Sequence, residues 1–181
     1  MKRIGLPLSA LTDPELESSL LKKLAFLDVQ AICSLHGPML KENIPYYINL
    51  YKTWSRFEAE EKGVLIAYTS IYGNTKKAVL QLAENLRQQG CPKVVVNDLA
   101  RCDMHEAVSD AFRFDRVVFA TTTYNGKTFP FMHTFIHHLV SRGFRNRTVS
   151  FIENGSWAPM ATQQMKAEIA ECKELRYTEA G

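Results

Sequence analysis

The sequence predicts an α/β fold, a doubly wound parallel sheet with helices on both faces. Three observations support this prediction: short, fully apolar runs suited to buried strands, amphipathic segments between them, and strand ends that open into hydroxyl-rich loops. The alternation runs through residues 63–181, so its crossovers are expected to be right-handed. Residues 1–57 and the charged stretch 58–62 precede it.

The first strand and the helix after it contain the most informative loop. Residues 64–68 are apolar throughout, and the next helix is expected to begin near Asn74 or Thr75 and to end at Gly90. The loop between them, TSIYGNT, combines hydroxyl groups with a helix N-terminus, where free N–H groups and the helix dipole favour an anion. We therefore predict a phosphate site; capping of the helix by Ser70 and Thr75 is the alternative.

The remaining elements follow in the same order. Asp103 with Glu106 resembles a capping box that opens a short helix. Strands are predicted at 94–96, 117–120 and 148–153, and further helices from Pro130 to Gly143 and from Pro159.

Three loops follow predicted strands and share hydroxyl, amide, glycine and aromatic residues: 69–75, 121–126 and 154–157. Ligands of parallel sheets bind beyond the carboxyl ends of the strands. A ligand that touches all three loops needs a phosphate at the first and a flat body near the others, where Tyr124 and Trp157 offer aromatic faces. Flavin mononucleotide (FMN) meets these requirements; ordinary packing of the two aromatic side chains is the alternative.

Composition narrows the class of protein. The net charge of +3 over 181 residues is too small to argue for nucleic acid, and no apolar run is long enough to cross a membrane. The four cysteines form no CxxC pair, so reduced thiols in a cytoplasm are expected. Arg142, Arg145 and Arg147 suggest a docking patch for an acidic partner, or else a solvated loop.

The N-terminal part does not resemble a complete domain. A helix is expected after Thr12-Asp13-Pro14-Glu15, a short strand at 29–33, and a second amphipathic helix from Ile44 to Trp54. These elements expose more apolar surface than they can bury against each other. Residues 58–62 are interpreted as a linker.

The motifs TSIYGNT, TTTYNGKTFP and ENGSWAP resemble the flavin loops of the flavodoxin-like domain of flavodiiron proteins, also called A-type flavoproteins. SLHGPMLKENIPYYINLYKTWS resembles the end of the metallo-β-lactamase-like domain that precedes it in that family. The resemblance implies a fragment of that domain at 1–57 and a flavodoxin-like sheet of order 2-1-3-4 in 63–181. The fifth strand would be short or missing, beginning at Arg176 and Tyr177.

The resemblance also implies a cofactor, FMN, and the residues that bind it. The phosphate would be bound by Ser70, Ile71, Tyr72, Gly73, Asn74 and Thr75; the isoalloxazine would be lined by Thr123, Tyr124, Asn125 and Gly126; and the third side would be closed by Asn154, Gly155, Ser156 and Trp157. His36 matches the family's final iron ligand. The other iron ligands have no counterpart, so His36 is interpreted as vestigial and bound iron is not expected.

The implied function is electron transfer through FMN, which in the family feeds a diiron site that reduces oxygen or nitric oxide. The expected donor is a rubredoxin-like protein or an NAD(P)H-dependent reductase, and a homodimer is one expected assembly. No nucleic-acid or membrane partner is expected, and no side chain is expected to act as acid, base or nucleophile. Two alternatives remain: a flavin-dependent quinone or FMN reductase, and a non-catalytic remnant that has lost flavin.

Overall fold

The computed structural model describes residues 23, 26–33, 37–156 and 158–178. Contacts between Cα atoms divide the chain into two compact units, one on each side of the Glu60–Glu61 bond. The helix expected after Thr12 lies outside the described residues.

The first unit contains helix α1, Ile44–Ser55, as the amphipathic pattern predicts. The strand expected at 29–33 is wrong: of that stretch, only Ile32 pairs among the described residues, in an isolated antiparallel bridge to Leu40. A single bridge leaves the flanking backbone outside any ladder, and polar Gln30 interrupts the apolar run.

The second unit alternates strands and helices as the sequence predicts. Its strands are β1 Glu61–Tyr68, β2 Val94–Asp98, β3 Phe114–Tyr124, β4 Lys127–Thr128, β5 Thr148–Asn154 and β6 Arg176–Tyr177. Its helices are α2 Asn74–Gln88, α3 Met104–Arg113, α4 Pro130–Val140 and α5 Ala161–Glu168. Strand β1 thus includes two residues of the predicted linker, Glu61 and Lys62.

The sheet has the strand order β2-β1-β3-β5-β6, and β4 pairs with β3 outside this path. All pairs along the path are parallel, whereas β3 and β4 are antiparallel. If β4 is left out of the numbering, the observed order is the predicted 2-1-3-4 followed by a short fifth strand. The predicted strand order is therefore confirmed. That strand, β6, pairs through Arg176 with Thr148 and through Tyr177 with Val149.

Helices pack on both faces of the sheet because side chains alternate along each strand. On one face, Val64 and Ile66 of β1 pack in a buried cluster with Val79 and Ala83 of α2. On the other face, the ring of Phe119 in β3 lies 6.0 Å from that of Phe135 in α4. This two-sided burial explains why the strands are apolar throughout.

The loop predicted at 121–126 is largely strand, which corrects the sequence interpretation. Strand β3 extends through Tyr124, and Thr123 pairs with Thr128 of β4. The turn residues Asn125 and Gly126 have φ of 49° and 68°, the positive values that a two-residue hairpin of type I′ requires. The Asn-Gly pair therefore specifies a hairpin.

Arg147 does not belong to an exposed docking patch. Its side chain is 1% exposed, and its guanidinium donates hydrogen bonds to the carbonyl oxygens of Phe112 at 2.5 Å and Asn146 at 2.9 Å. A buried guanidinium is costly unless backbone acceptors surround it. Arg147 thus ties the segment before β5 to the end of α3.

Asp103 caps α3 as predicted, accepting hydrogen bonds from the N–H groups of His105 at 2.7 Å and Glu106 at 3.4 Å. Helix α5 begins at Ala161, two residues later than the proline pattern predicts. Side chains of Thr123 in β3 and Glu153 in β5 accept hydrogen bonds from the backbone N–H groups at this later start.

Candidate functional site

A cleft with a volume of about 350 Å³ lies at the carboxyl ends of β1, β3 and β5. All three predicted loops contribute to it, as expected for the switch point of a doubly wound sheet. Its lining comprises Ser70, Ile71, Tyr72, Asn74, Thr75, Thr122, Thr123, Tyr124, Asn154, Gly155 and Ser156.

Among the predicted residues that the structure describes, Gly73, Asn125 and Gly126 lie outside this lining. Gly73 precedes α2 with φ of 86°, and the other two form the hairpin turn. Trp157 and His36 lie outside the described residues.

The sequence interpretation missed Thr122 as a site residue. Thr122 lies opposite Asn154 at the end of the β3–β5 ladder, which places it beside two of the three loops. Its position in the hydroxyl run TTTYNG was the available signal.

Ser70 caps helix α2, in agreement with the alternative considered for it. Its Oγ accepts hydrogen bonds from the backbone N–H of Gly73 at 3.1 Å and of Lys76 at 3.3 Å. The hydroxyl therefore orders the loop and supplies an acceptor at the helix N-terminus.

Thr75 does not act as a cap. It is 2% exposed, and within the described ranges no protein atom forms a hydrogen bond with its Oγ1. A buried hydroxyl without a partner costs about 1–3 kcal/mol. A hydrogen-bonding ligand in the cleft would supply the partner that this hydroxyl lacks.

The charges around the same helix end also favour an anion. Lys76 and Lys77 occupy the first turn of α2, which contains no acidic residue. Cations are unfavourable at this end because the helix dipole is positive there. A bound anion would offset both the dipole and the two ammonium groups.

Tyr68, at the end of β1, anchors the start of the first loop. Its hydroxyl donates to Oδ2 of Asp98 at 3.1 Å. Burial, and then the negative charge of Asp98, raises the pKa of Tyr68 to about 12. The phenol therefore stays protonated near neutral pH and keeps the ends of β1 and β2 together.

No group of three or more His, Cys, Asp or Glu side chains in the described part of the chain could hold a metal ion. His133, a weak metal candidate by its spacing from His137, has its Nδ1 3.2 Å from Oε1 of Glu168. None of the described helices combines the length and apolar character that a membrane span needs.

The family described as "Flavodoxin domain" matches residues 65–175. The chain belongs to this family. The match extends from Leu65 inside β1 to the residue before β6, and therefore covers all three loops of the cleft.

The flavodoxin domain and its flanking residues are similar to curated proteins named anaerobic nitric oxide reductase flavorubredoxin. Those from Escherichia coli O1:K1 / APEC and from Shigella dysenteriae serotype 1 (strain Sd197) are each 24% identical over 147 residues. The aligned part is 80% of this chain and 30% of each relative, so the chain spans less than a third of their length.

Solved structures show the same fold. The flavodiiron protein from Giardia intestinalis superposes with a TM-score of 0.75 at 18% identity, covering 94% of this chain and 44% of that one. Rubredoxin oxygen:oxidoreductase from Desulfovibrio gigas superposes with a TM-score of 0.71 at 17% identity, covering 93% of this chain and 44% of that one. A flavodoxin from the domain Archaea superposes with a TM-score of 0.53 at 14% identity, covering 67% of this chain and 86% of that one. The predicted flavodoxin-like fold and the resemblance to flavodiiron proteins are confirmed.

Proposed function

We propose that this flavodoxin domain binds FMN in the cleft of the three loops and transfers electrons through it. The observation that carries the proposal is the Thr75 hydroxyl, which is buried at the N-terminus of α2 and without a protein partner in the described part of the chain. A monophosphate supplies the acceptor that this hydroxyl needs.

The cleft residues fit FMN by their chemistry. The first loop would hold the phosphate through the Thr75 hydroxyl and the N–H groups at the start of α2. Lys76 and Lys77 would face its negative charge from the first turn. The loop has no lysine placed as in triphosphate sites, which favours a phosphate that stays in position rather than one that is transferred.

The flat ring would lie against the hairpin and the third loop. Tyr124 is 46% exposed, and its ring stands at 77° to that of Phe129, with the centroids 5.4 Å apart. This edge-to-face contact leaves one face of Tyr124 accessible for stacking, which contributes about 0.5–1.5 kcal/mol beyond area burial. Residues 154–156 also line the cleft, where they offer backbone and amide groups to the ring.

Bound FMN supplies the one- and two-electron chemistry. The chain's own residues position the ring, exclude water from one side of it and hold its phosphate. We further propose a rubredoxin-type or NAD(P)H-dependent donor, because the similar proteins are named flavorubredoxin and rubredoxin oxygen:oxidoreductase. Transfer to a diiron centre, a homodimer and a cytoplasmic location are proposals for the intact protein.

Flavin titration of the apoprotein tests the proposal. FMN is expected to bind more tightly than riboflavin, which lacks the phosphate. Thr75→Val, which keeps the shape and removes the hydroxyl, should weaken FMN binding about tenfold, since one lost hydrogen bond to a charged group corresponds to about that factor. Riboflavin binding should be unchanged. Thr53→Val on the exposed side of α1 is the matched control.

A folded protein that binds neither flavin would contradict the proposal and favour the remnant interpretation. Rapid NADH oxidation with a quinone as acceptor would instead indicate a flavin-dependent reductase. Slow turnover combined with fast reduction by a one-electron protein donor supports electron transfer.

A further inference from the structure

We propose that Thr123 is a positioning residue that fixes the third loop over the ring site by capping helix α5. The inference rests on the proposed FMN site. It differs from the role that the sequence resemblance implies for Thr123, which is to line the isoalloxazine itself.

The hydroxyl of Thr123 is already engaged by the protein. Its Oγ1 accepts hydrogen bonds from the backbone N–H of Met160 at 3.0 Å and of Ala161 at 3.2 Å. Two donated hydrogen bonds use both acceptor positions of a hydroxyl. Thr123 therefore acts as an N-cap from another strand, 37 residues away from Met160 in the sequence.

Helix α5 depends on such capping because it has none of its own. Among the described residues, its N-cap Met160 makes no side-chain capping bond and its first turn has no acid. Glu153 of β5 supplies a third bond, since its Oε2 accepts from the N–H of Thr162 at 2.9 Å. A carboxylate at this helix end is also favourable electrostatically.

The third loop is consequently held at both ends. Asn154 pairs with Thr122 in the β3–β5 ladder, and the next residue along β3, Thr123, holds the start of α5. Inside the loop, a Cβ on Gly155 would lie 3.3 Å from Oγ1 of Thr123 and 3.3 Å from Cα of Pro159. The loop thus folds tightly around the Thr123 hydroxyl.

The hydroxyl of Thr123 serves the start of α5, although Thr123 also belongs to the lining of the cleft. Because neighbouring side chains of a strand point to opposite faces, the side chains of Thr122 and Tyr124 point away from the face on which Thr123 meets α5. Through its two bonds to the start of α5, the Thr123 hydroxyl consequently acts on the ring site by way of residues 154–156, which line the cleft beside Thr123.

Two flavins and two substitutions at Thr123 test the inference. Thr123→Val removes the hydroxyl at constant shape, so the loop is released from α5. We expect the affinities for FMN and for riboflavin to fall by the same factor, about tenfold, which corresponds to the loss of one helix cap. Thr123→Ser keeps the hydroxyl and should retain wild-type affinity for both. Thr75→Val, by contrast, should weaken the binding of FMN and leave the binding of riboflavin unchanged.

Hydrogen exchange in the apoprotein provides a readout that does not need flavin. The amides of Met160 and Ala161 should exchange faster in Thr123→Val than in the wild type, while the amides of β1 remain protected. If the wild type binds no flavin, the proposed function fails, but this exchange measurement still decides whether Thr123 fixes the loop.

Three results would overturn the inference although the wild type binds FMN: unchanged affinity for both flavins in Thr123→Val, loss of FMN binding alone, or equal losses in Thr123→Val and Thr123→Ser. If Thr123→Val does not fold, Thr123→Ala, which also removes the hydroxyl and introduces no new methyl group beside the helix end, makes the same test. Equal weakening of both flavins then supports the inference, and unchanged affinity overturns it.

Discussion

The hydroxyl oxygens of Thr69 and Thr121 lie 2.6 Å apart, just beyond the end of β1 and beside the last pairs of the ladder with β3. Both side chains are fully buried, and the N–H of Thr69 also donates to the carbonyl oxygen of Ala120 at 2.9 Å. This pair joins the start of the first loop to the base of the hairpin. It therefore sets the spacing between two of the three walls of the cleft.

Removal of one hydroxyl of this pair should lower the free energy of unfolding more than removal of both, because a single substitution leaves the other hydroxyl buried. Thr121→Val alone leaves the buried Thr69 hydroxyl without its partner, so it should reduce the free energy of unfolding by about 1–3 kcal/mol. Thr69→Val should cost less, because the Thr121 hydroxyl also lies 3.5 Å from the carbonyl oxygen of Thr122. The double substitution should cost less than the sum of the two. Urea denaturation of the apoproteins measures this coupling, with Thr53→Val on α1 as the control; strict additivity would contradict the prediction.

Gly63 should not tolerate even a methyl group. An added Cβ would lie 2.8 Å from the carbonyl oxygen of Lys93 and 2.9 Å from Cδ1 of Phe114, so three strands converge on it. We expect Gly63→Ala to destabilise the fold by about 1–3 kcal/mol, the usual cost of overpacking. Lys62→Ala, on the exposed neighbour in the same strand, is the control. Equal stability of the two variants in thermal or urea unfolding would show that the strands can separate at no cost.

Stability in acid should depend on Glu61. Its carboxylate accepts hydrogen bonds from Arg113 at 2.6 Å and from Lys93 at 3.3 Å. Partial burial alone would raise the pKa of Glu61, but hydrogen bonds and charges from Arg113 and Lys93 lower it below its ordinary value of 4.5. A pKa that is lower in the folded state gives stability that is present above pH 4.5 and is lost as pH falls through the folded-state pKa.

Glu61→Gln should therefore flatten the decline in unfolding free energy below about pH 4.5. Glu84→Gln is the control, because the carboxylate of Glu84 lies in an exposed pair 3.9 Å from Arg87. Parallel pH profiles for the wild type and Glu61→Gln would contradict the prediction.

For Tyr68 we predict the opposite pH dependence, a loss of stability at alkaline pH. Its pKa is raised from 10.0 to about 12 in the folded protein, so its contribution to stability is fully present below pH 10 and is lost as pH rises toward 12. Absorbance at the wavelength of tyrosinate should show a titration step well above pH 10, and Tyr68→Phe should remove that step. Titration of every tyrosine near pH 10 in the folded wild type would rule out the buried bond to Asp98.

The sequence alone determined the order and type of the main elements. Apolar runs such as 64–68 predicted buried strands, and Asp103 and Gly90 marked helix ends. The Asn125-Gly126 pair carried the hairpin signal, although it was first interpreted as loop. These features depend on periodicity and capping, which act between residues a few positions apart.

Tertiary structure decided what individual side chains do. Thr123 accepts hydrogen bonds from the start of α5, Arg147 binds the carbonyl oxygen of Phe112 instead of lying at the surface, and Thr69 pairs with Thr121. The partners are 37, 35 and 52 residues apart in the chain. Hydrogen bonds over such separations depend on which strands become neighbours in the sheet. Local sequence patterns involve residues only a few positions apart, so they do not predict these bonds.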